Sequence, residues 1–206
     1  MKNKRVLNII LIIIAIILLV FLIYFIRNFV IINNLSKAQE SNNYSYIAEM
    51  QGGVIEYAYK DGKSIETLKV DGVVGTITWM DSNTKEKIII YPEQERAEVS
   101  SYDEINIDSA VSTILNSVLS EEAGELSKAL TTHISAEKID GMECYKLQPL
   151  TGVISNTYYF NKENNTLIKC IMGENEINFK NWKINELSDE DVSKPDLANY
   201  ELINNE

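Results

Sequence analysis

The sequence predicts an α+β protein, mostly antiparallel β, carried on one N-terminal transmembrane helix. Three observations predict it. Val6 to Ile26 is apolar at every position except Asn8 and Tyr24. From Tyr44 onward, short runs of alternating residues are punctuated by turn pairs such as Asp61-Gly62, Asp71-Gly72 and Asp140-Gly141. Between two such series, from Ile107 to Leu130, the apolar period lengthens to that of a helix.

The apolar run comes first. At 1.5 Å per residue, roughly 20 residues cover the ~30 Å hydrocarbon core of a bilayer, and a soluble helix has no reason to be aliphatic all round. Lys2, Lys4 and Arg5 precede the run and Arg27 follows it, a bias that puts the N-terminus in the cytoplasm and the rest of the chain outside. A cleaved signal peptide has an apolar region of ~7–15 residues and a small-residue cleavage site, whereas this run is longer and is followed by Arg27-Asn28-Phe29-Val30. With Cys144 the first cysteine, there is no residue near the span to take a lipid. The reading is an uncleaved, single-pass signal-anchor in a bacterial cell membrane; the Ile, Asn and Lys excess over Ala and Arg fits an AT-rich bacterial genome.

The remainder is long enough to bury a core without metal or disulfide staples. The whole chain carries −11. Lys2, Lys4, Arg5 and Arg27 are the only charged residues up to the end of the span, so residues 28–206 carry −15. That balance argues against nucleic acid and anionic lipid surfaces as partners, since both demand Lys/Arg patches. Cys144 and Cys170 lie outside the membrane, where a disulfide could persist. A simple meander, however, separates their strands by a third, about 9–10 Å apart, beyond the ~7 Å reach of a bridge.

In order along the chain, Phe29, Ile31, Ile32, Leu35 and Ala38 continue the span as a short juxtamembrane helix that Ser41-Asn42-Asn43 ends. Tyr44–Met50, Val54–Lys60, Lys63–Val70 and Val73–Met80 then read as a meander. The Asp-Gly pairs between its segments tolerate the positive φ of tight hairpin turns. Ile55, Tyr57 and Tyr59 share one face, as do Ile77 and Trp79 against Thr76 and Thr78. Lys87–Tyr91 and Arg96–Ser100 form another hairpin around Pro92. Ile107, Val111, Ile114, Leu115, Val118 and Leu119 make the stripe of an amphipathic helix, and a second helix from Ser120 is expected to bury Leu126, Ala129 and Leu130. Strands return over Ile134–Ile139, Glu143–Leu150, Asn156–Asn161, Thr166–Met172 and Glu176–Ile184. Ser188 to Asp191 reads as a capped short turn before Pro195, and the tail beyond Tyr200 as a fraying terminus. The sum is about ten strands with one helical insertion. The expected organisation is a cytoplasmic stub and anchor over 1–27, a juxtamembrane helix over 28–43, and an extracytoplasmic antiparallel β domain over 44–206 with helices at about 107–131.

Asp140-Gly-Met-Glu-Cys-Tyr-Lys-Leu147, Tyr158-Tyr-Phe-Asn161, Asn165-Thr-Leu-Ile-Lys169 and Phe179-Lys-Asn-Trp182, with the closing stretch to Pro195, resemble the LolA-like lipoprotein-carrier family of bacterial envelopes. The likeness lies mainly over residues 134–200. It implies a half-barrel of antiparallel strands whose apolar concave face, closed by helices, holds acyl chains. It brings no catalytic residues, and the membrane tether departs from a carrier that must diffuse.

No enzyme is expected. Cys144 and the single His133 could pair as nucleophile and base only within hydrogen-bond reach, and Cys144 sits in a strand pattern without a helix N-terminus to activate it. No metalloprotease, phosphate-loop, EF-hand or nucleophile-elbow motif is present, so neither cofactor nor metal is called for. The remaining lead is apolar. Tyr57, Tyr59, Trp79, Tyr145 and Phe160 on strands, with Val111, Ile114, Leu115 and Val118 on the covering helix, form the candidate hydrophobic ligand site. An open apolar cavity there would point to a lipid, an acyl chain or a lipidated protein. A filled interior would point instead to an envelope sensor or module that binds a protein partner.

Overall fold

A computed structural model describes residues 2–38, 41–101, 125–150 and 156–205. The span and the juxtamembrane segment are one uninterrupted helix, α1 (Lys2–Ala38), 37 residues long. From Val6 to Phe21 its side chains are all exposed, and the helix from Val6 onward is long and apolar enough to cross a membrane. From Asn28 onward it turns one stripe inward: Ile31, Ile32 and Leu35 recur at helical spacing and are buried. The same helix is therefore both the membrane-length segment and a core element.

The strands are β1 (Asn43–Met50), β2 (Gly53–Lys60), β3 (Lys63–Val70), β4 (Val73–Asp81), β5 (Glu86–Tyr91) and β6 (Arg96–Ser101), then helix α2 (Glu125–Thr131). They continue as β7 (Thr132–Ile139), β8 (Met142–Pro149), β9 (Asn156–Asn161), β10 (Leu167–Met172), β11 (Asn175–Ile184) and β12 (Glu201–Asn205). All lie in one sheet of order β12-β6-β5-β4-β3-β2-β1-β11-β10-β9-β8-β7. Two meanders thus join where β11 pairs antiparallel with β1, and β7 and β12 remain as the edges of an open sheet. The turn chemistry is as read: Asp61, Asp71 and Asp140 have φ of 49°, 52° and 49°, and the glycine after each is also at positive φ. That pair of left-handed residues is what a two-residue hairpin turn requires.

The register splits the core between the two faces of the sheet. Tyr57 pairs with Glu66, which pairs with Thr78; one position over, Ala58 pairs with Ile65, which pairs with Trp79. Tyr57 and Trp79 therefore project from opposite faces. On the first face Tyr46, Tyr57, Leu147, Tyr158, Phe160 and Phe179 pack against Ile31, Ile32 and Leu35 of α1. On the other, Trp79, Ile88, Ile90 and Ala97 form a second cluster with Leu197 and Tyr200. The segment after β11 makes that second cluster possible: it crosses the outer face, buries Leu187 and Val192, and accepts a 3.0 Å hydrogen bond from Trp79 Nε1 at the Val192 carbonyl. Lys60 anchors it through a 2.6 Å ion pair with Asp189, whose carboxyl is held below the usual aspartate range by that lysine.

Several expectations are corrected. The tail beyond Tyr200 is a strand, β12, paired parallel to β6 rather than frayed. The described residues hold twelve strands, not about ten. In α2 Ala129 is buried as expected, but Leu130 is exposed. The helical stripe Ile107 to Leu119, with Val111, Ile114, Leu115 and Val118, lies outside the described residues.

Candidate functional site

The helix-bearing face is lined by aromatic side chains because tyrosines alternate along β1 and β2 and meet in register. Tyr44 pairs with Tyr59 and Tyr46 with Tyr57. Ring centroids stand 5.5 Å apart for the first pair and 5.2 Å for the second, and Tyr46 is 4.9 Å from Trp182. These are the offset and tilted contacts that aromatic rings favour. Trp182 Nε1 donates to the Leu167 carbonyl at 2.8 Å, which fixes the indole across the β10–β11 junction. Burial, with the neighbouring Tyr44 and Tyr46, pushes the Tyr57 hydroxyl well above the ordinary tyrosine range.

Of the expected site residues, Tyr57, Tyr59, Tyr145 and Phe160 are brought to one face, with Tyr145 directly opposite Phe160. Trp79 lies on the other face, under the crossing segment. Tyr57 and Phe160 are buried, and Tyr59 and Tyr145 pack partly exposed against the same cluster. The side chains that fill the space between these strands come from α1, where Ile32 and Leu35 are wholly buried. On β3 to β5 the same face continues with Glu66, Leu68, Thr78, Met80 and Ile89, all half-buried. Burial raises the Glu66 carboxyl, against a lowering by Lys87.

One open site that touches the core strands lies on the other face. An open cleft of about 370 Å³ runs over β1, β2, β3 and β11 beneath the crossing segment. Ile47, Ala58, Ile65 and Leu187 give it an apolar floor, and Ser45, Glu56, Thr67, Asn181, Lys183 and Asp191 add charges and hydrogen-bonding groups. Asn181, at φ 54°, lies where the β1–β11 register slips, which re-aims this part of β11. Ser188 donates through N–H and hydroxyl to Asp191 Oδ2, both at 2.7 Å, and this keeps the Asp191 carboxyl low and ionised at the mouth. Among the described residues no group of three or more His, Cys, Asp or Glu is placed to hold a metal ion. Cys144 and His133 pair with residues of separate registers, Glu137 and Gln148, on neighbouring strands. Burial raises both thiols, Cys170 to about 12.

Sequence reasoning missed the junction between helix and sheet. Asn28 is fully buried and donates from Nδ2 to the carbonyls of Ala129 at 3.4 Å and Thr132 at 3.2 Å. Arg27 donates to the Ile134 carbonyl at 3.3 Å, and the Tyr24 hydroxyl meets His133 Nδ1 at 3.2 Å. The signal was present: Asn28 interrupts the stripe Phe25, Ile32, Leu35 at helical spacing, and a polar residue on a buried stripe needs a partner.

No protein-family model and no curated protein matches the chain. Among solved structures it is similar to PNGF-II, with 10% identity over 79% of this chain and a TM-score of 0.35. It is similar to a DUF1329 family protein from Desulfovibrio piger, with 13% identity over 81% of this chain and 96% of that one, TM-score 0.31. It is also similar to MucB in complex with MucA(peri), with 12% identity over 84% of this chain, TM-score 0.44. The chain spans 30% of the length of PNGF-II and 61% of that of MucB. What the fold defines is a class: a mostly antiparallel open sheet with, among the described residues, one N-terminal helix long and apolar enough to cross a membrane.

Proposed function

We propose that this chain is a membrane-tethered, non-catalytic domain of the cell envelope that binds a protein partner on the outer face of its sheet. Its N-terminus is cytoplasmic and its sheet extracytoplasmic, following the basic residues before the span. The observation that carries the reading is the occupant of the helix-bearing face. There the chain's own Ile32 and Leu35 fill the space between Tyr46, Tyr57 and Phe160, whereas the outer cleft is open and lined by Glu56, Lys183 and Asp191. Charged and amide groups set beside the apolar Ile47, Ala58, Ile65 and Leu187 suit a peptide, with its polar backbone and mixed side chains, better than an acyl chain. The test is photo-crosslinking of the full chain in its native membrane, with the reactive residue at Glu56, Thr67 or Lys183. One shared product from the three cleft positions, absent from exposed Val73, is expected; no product at any of them sinks the reading.

A second reading is capture of a lipid, an acyl chain or a lipidated protein. It is favoured by Leu68, Met80 and Ile89, half-buried on the helix-bearing face but outside the cluster that packs on α1. Native mass spectrometry of the chain released from detergent separates the two readings. An acyl-lipid adduct lost on Leu68→Trp supports capture, and a clean apo mass after incubation with phosphatidylcholine counts against it.

A further inference from the structure

The apolar run Val6 to Ile26 is 21 residues, about 31 Å at the helical rise, the thickness of a hydrocarbon core. Ile26 then stands at its boundary and Tyr24 within the last apolar turn, the depth at which tyrosine is favoured. The sheet domain does not begin above that level. Helical side chains lean toward the N-terminus, so the Tyr24 ring lies over the turn below its own backbone, and its hydroxyl meets His133 Nδ1 at 3.2 Å. Asn28, one turn higher, holds the carbonyls of Ala129 and Thr132. The segment from Ala129 to His133 is therefore pinned across the height of Tyr24 to Asn28, about 6 Å of helix, which is the headgroup boundary.

Two large apolar side chains share that level. Leu130 is 53% exposed and Leu150 is 68% exposed. The Leu150 N–H donates to the Thr131 carbonyl at 2.7 Å, which keeps the two leucines on one base. A single exposed leucine needs no explanation; two pinned at the depth where a membrane begins have one. Resting on the reading of α1 as a membrane span, we propose that the α2–β7–β8 base of the domain docks on the bilayer, with Leu130 and Leu150 inserted at the headgroup–acyl boundary. The contact is apolar and independent of anionic lipid, because residues 28–206 carry −15. The β7 edge of the sheet is thus held at the membrane rather than swinging above it.

The test uses the full chain in phosphatidylcholine vesicles carrying one nitroxide at a time, on Leu130→Cys, Leu150→Cys, Leu202→Cys or Ile14→Cys. The unsubstituted chain, whose two thiols are buried, is the blank. Leu202, equally exposed at 53%, lies on β12, the opposite edge of the sheet. Collision of each label with oxygen is compared with collision with a water-soluble nickel chelate. The oxygen-to-nickel ratio is expected to be highest at Ile14→Cys, several-fold lower but still raised at Leu130→Cys and Leu150→Cys, and aqueous at Leu202→Cys. Aqueous ratios at Leu130→Cys and Leu150→Cys with Ile14→Cys still in the bilayer overturn the docking alone. An aqueous ratio at Ile14→Cys overturns the membrane span, and the docking with it.

Discussion

Asn28 and Thr132 stand 104 positions apart in the chain and meet in a 3.2 Å hydrogen bond that fastens the membrane-length helix to the first strand of the second meander. The donor is wholly buried, and among the described residues β7 is a sheet edge with no further strand to satisfy its outward carbonyls. Asn28→Ala leaves the Ala129 and Thr132 carbonyls without this donor, a loss expected at about 1–3 kcal/mol. Asn28→Asp, with the same shape, sets a carboxylate against two carbonyl oxygens and is expected to cost more. Thermal melts in detergent check the order. Equal stability of Asn28→Ala and the unsubstituted chain would remove this pair from the account.

Glu66 gives a pH signature. Its folded carboxyl is raised by burial, with Lys87 opposing, so the folded state prefers the protonated form. The stabilising contribution is therefore full below the unfolded glutamate value of about 4.3 and is lost as pH rises through the higher folded value. Glu66→Gln is expected to raise the melting temperature at pH 7–8 and to give no gain near pH 4. At this chain length each kcal/mol reads as about 2–4 °C. A gain that is the same at both pH values would contradict the assignment.

The two cysteines are expected to stay reduced and inert. Cys144 pairs with Asn161 and Cys170 with Tyr158, so they project from opposite faces of the sheet with β9 between them. With its thiol raised to about 12, Cys170 at pH 8 carries a thiolate fraction about three orders of magnitude below that of a free thiol. A thiol-counting reagent should find none in the native chain and two after denaturation. A mild oxidant that consumed both thiols in the folded monomer would disprove the geometry.

What the sequence revealed and what it hid have a common physical cause. Hairpins are local, and Asp61-Gly62 and Asp140-Gly141 announce theirs by a backbone conformation that few other residues adopt. Alternation likewise put Ile55, Tyr57 and Tyr59 on one face, and Ile77 with Trp79 on one. Which face those two sets share is not local. It depends on register summed across β2, β3 and β4, and this is why Trp79 was grouped with Tyr57 and Tyr59 when the fold sets it opposite. The parallel strand β12 escaped for the same reason. No hairpin turn joins Glu201-Leu-Ile-Asn-Asn205 to β6, and it finds that strand only because the segment from Leu187 to Tyr200 carries it across the sheet. The juxtamembrane stripe Ile31, Ile32, Leu35 was legible from its period, but not the face it would cover.

Those two faces predict two energetically separate cores. Leu35→Ala removes a wholly buried side chain from the helix-bearing cluster and is expected to cost about 2–5 kcal/mol through lost burial and the cavity left behind. Trp79→Phe keeps an aromatic ring in the outer cluster but leaves the Val192 carbonyl without its indole donor, at about 1–3 kcal/mol. A sheet is about 10 Å thick between packed layers, and the two residues share no partner in either cluster. The double variant should therefore lose the sum of the two single losses to within about 0.5 kcal/mol. Denaturant titration of the four proteins measures it. A coupling above about 1 kcal/mol would mean that α1 and the crossing segment brace each other through the sheet. In that case a partner seated on the outer cleft would be felt at the membrane helix. Strict additivity leaves the helix as a tether and the outer face free to bind without disturbing it.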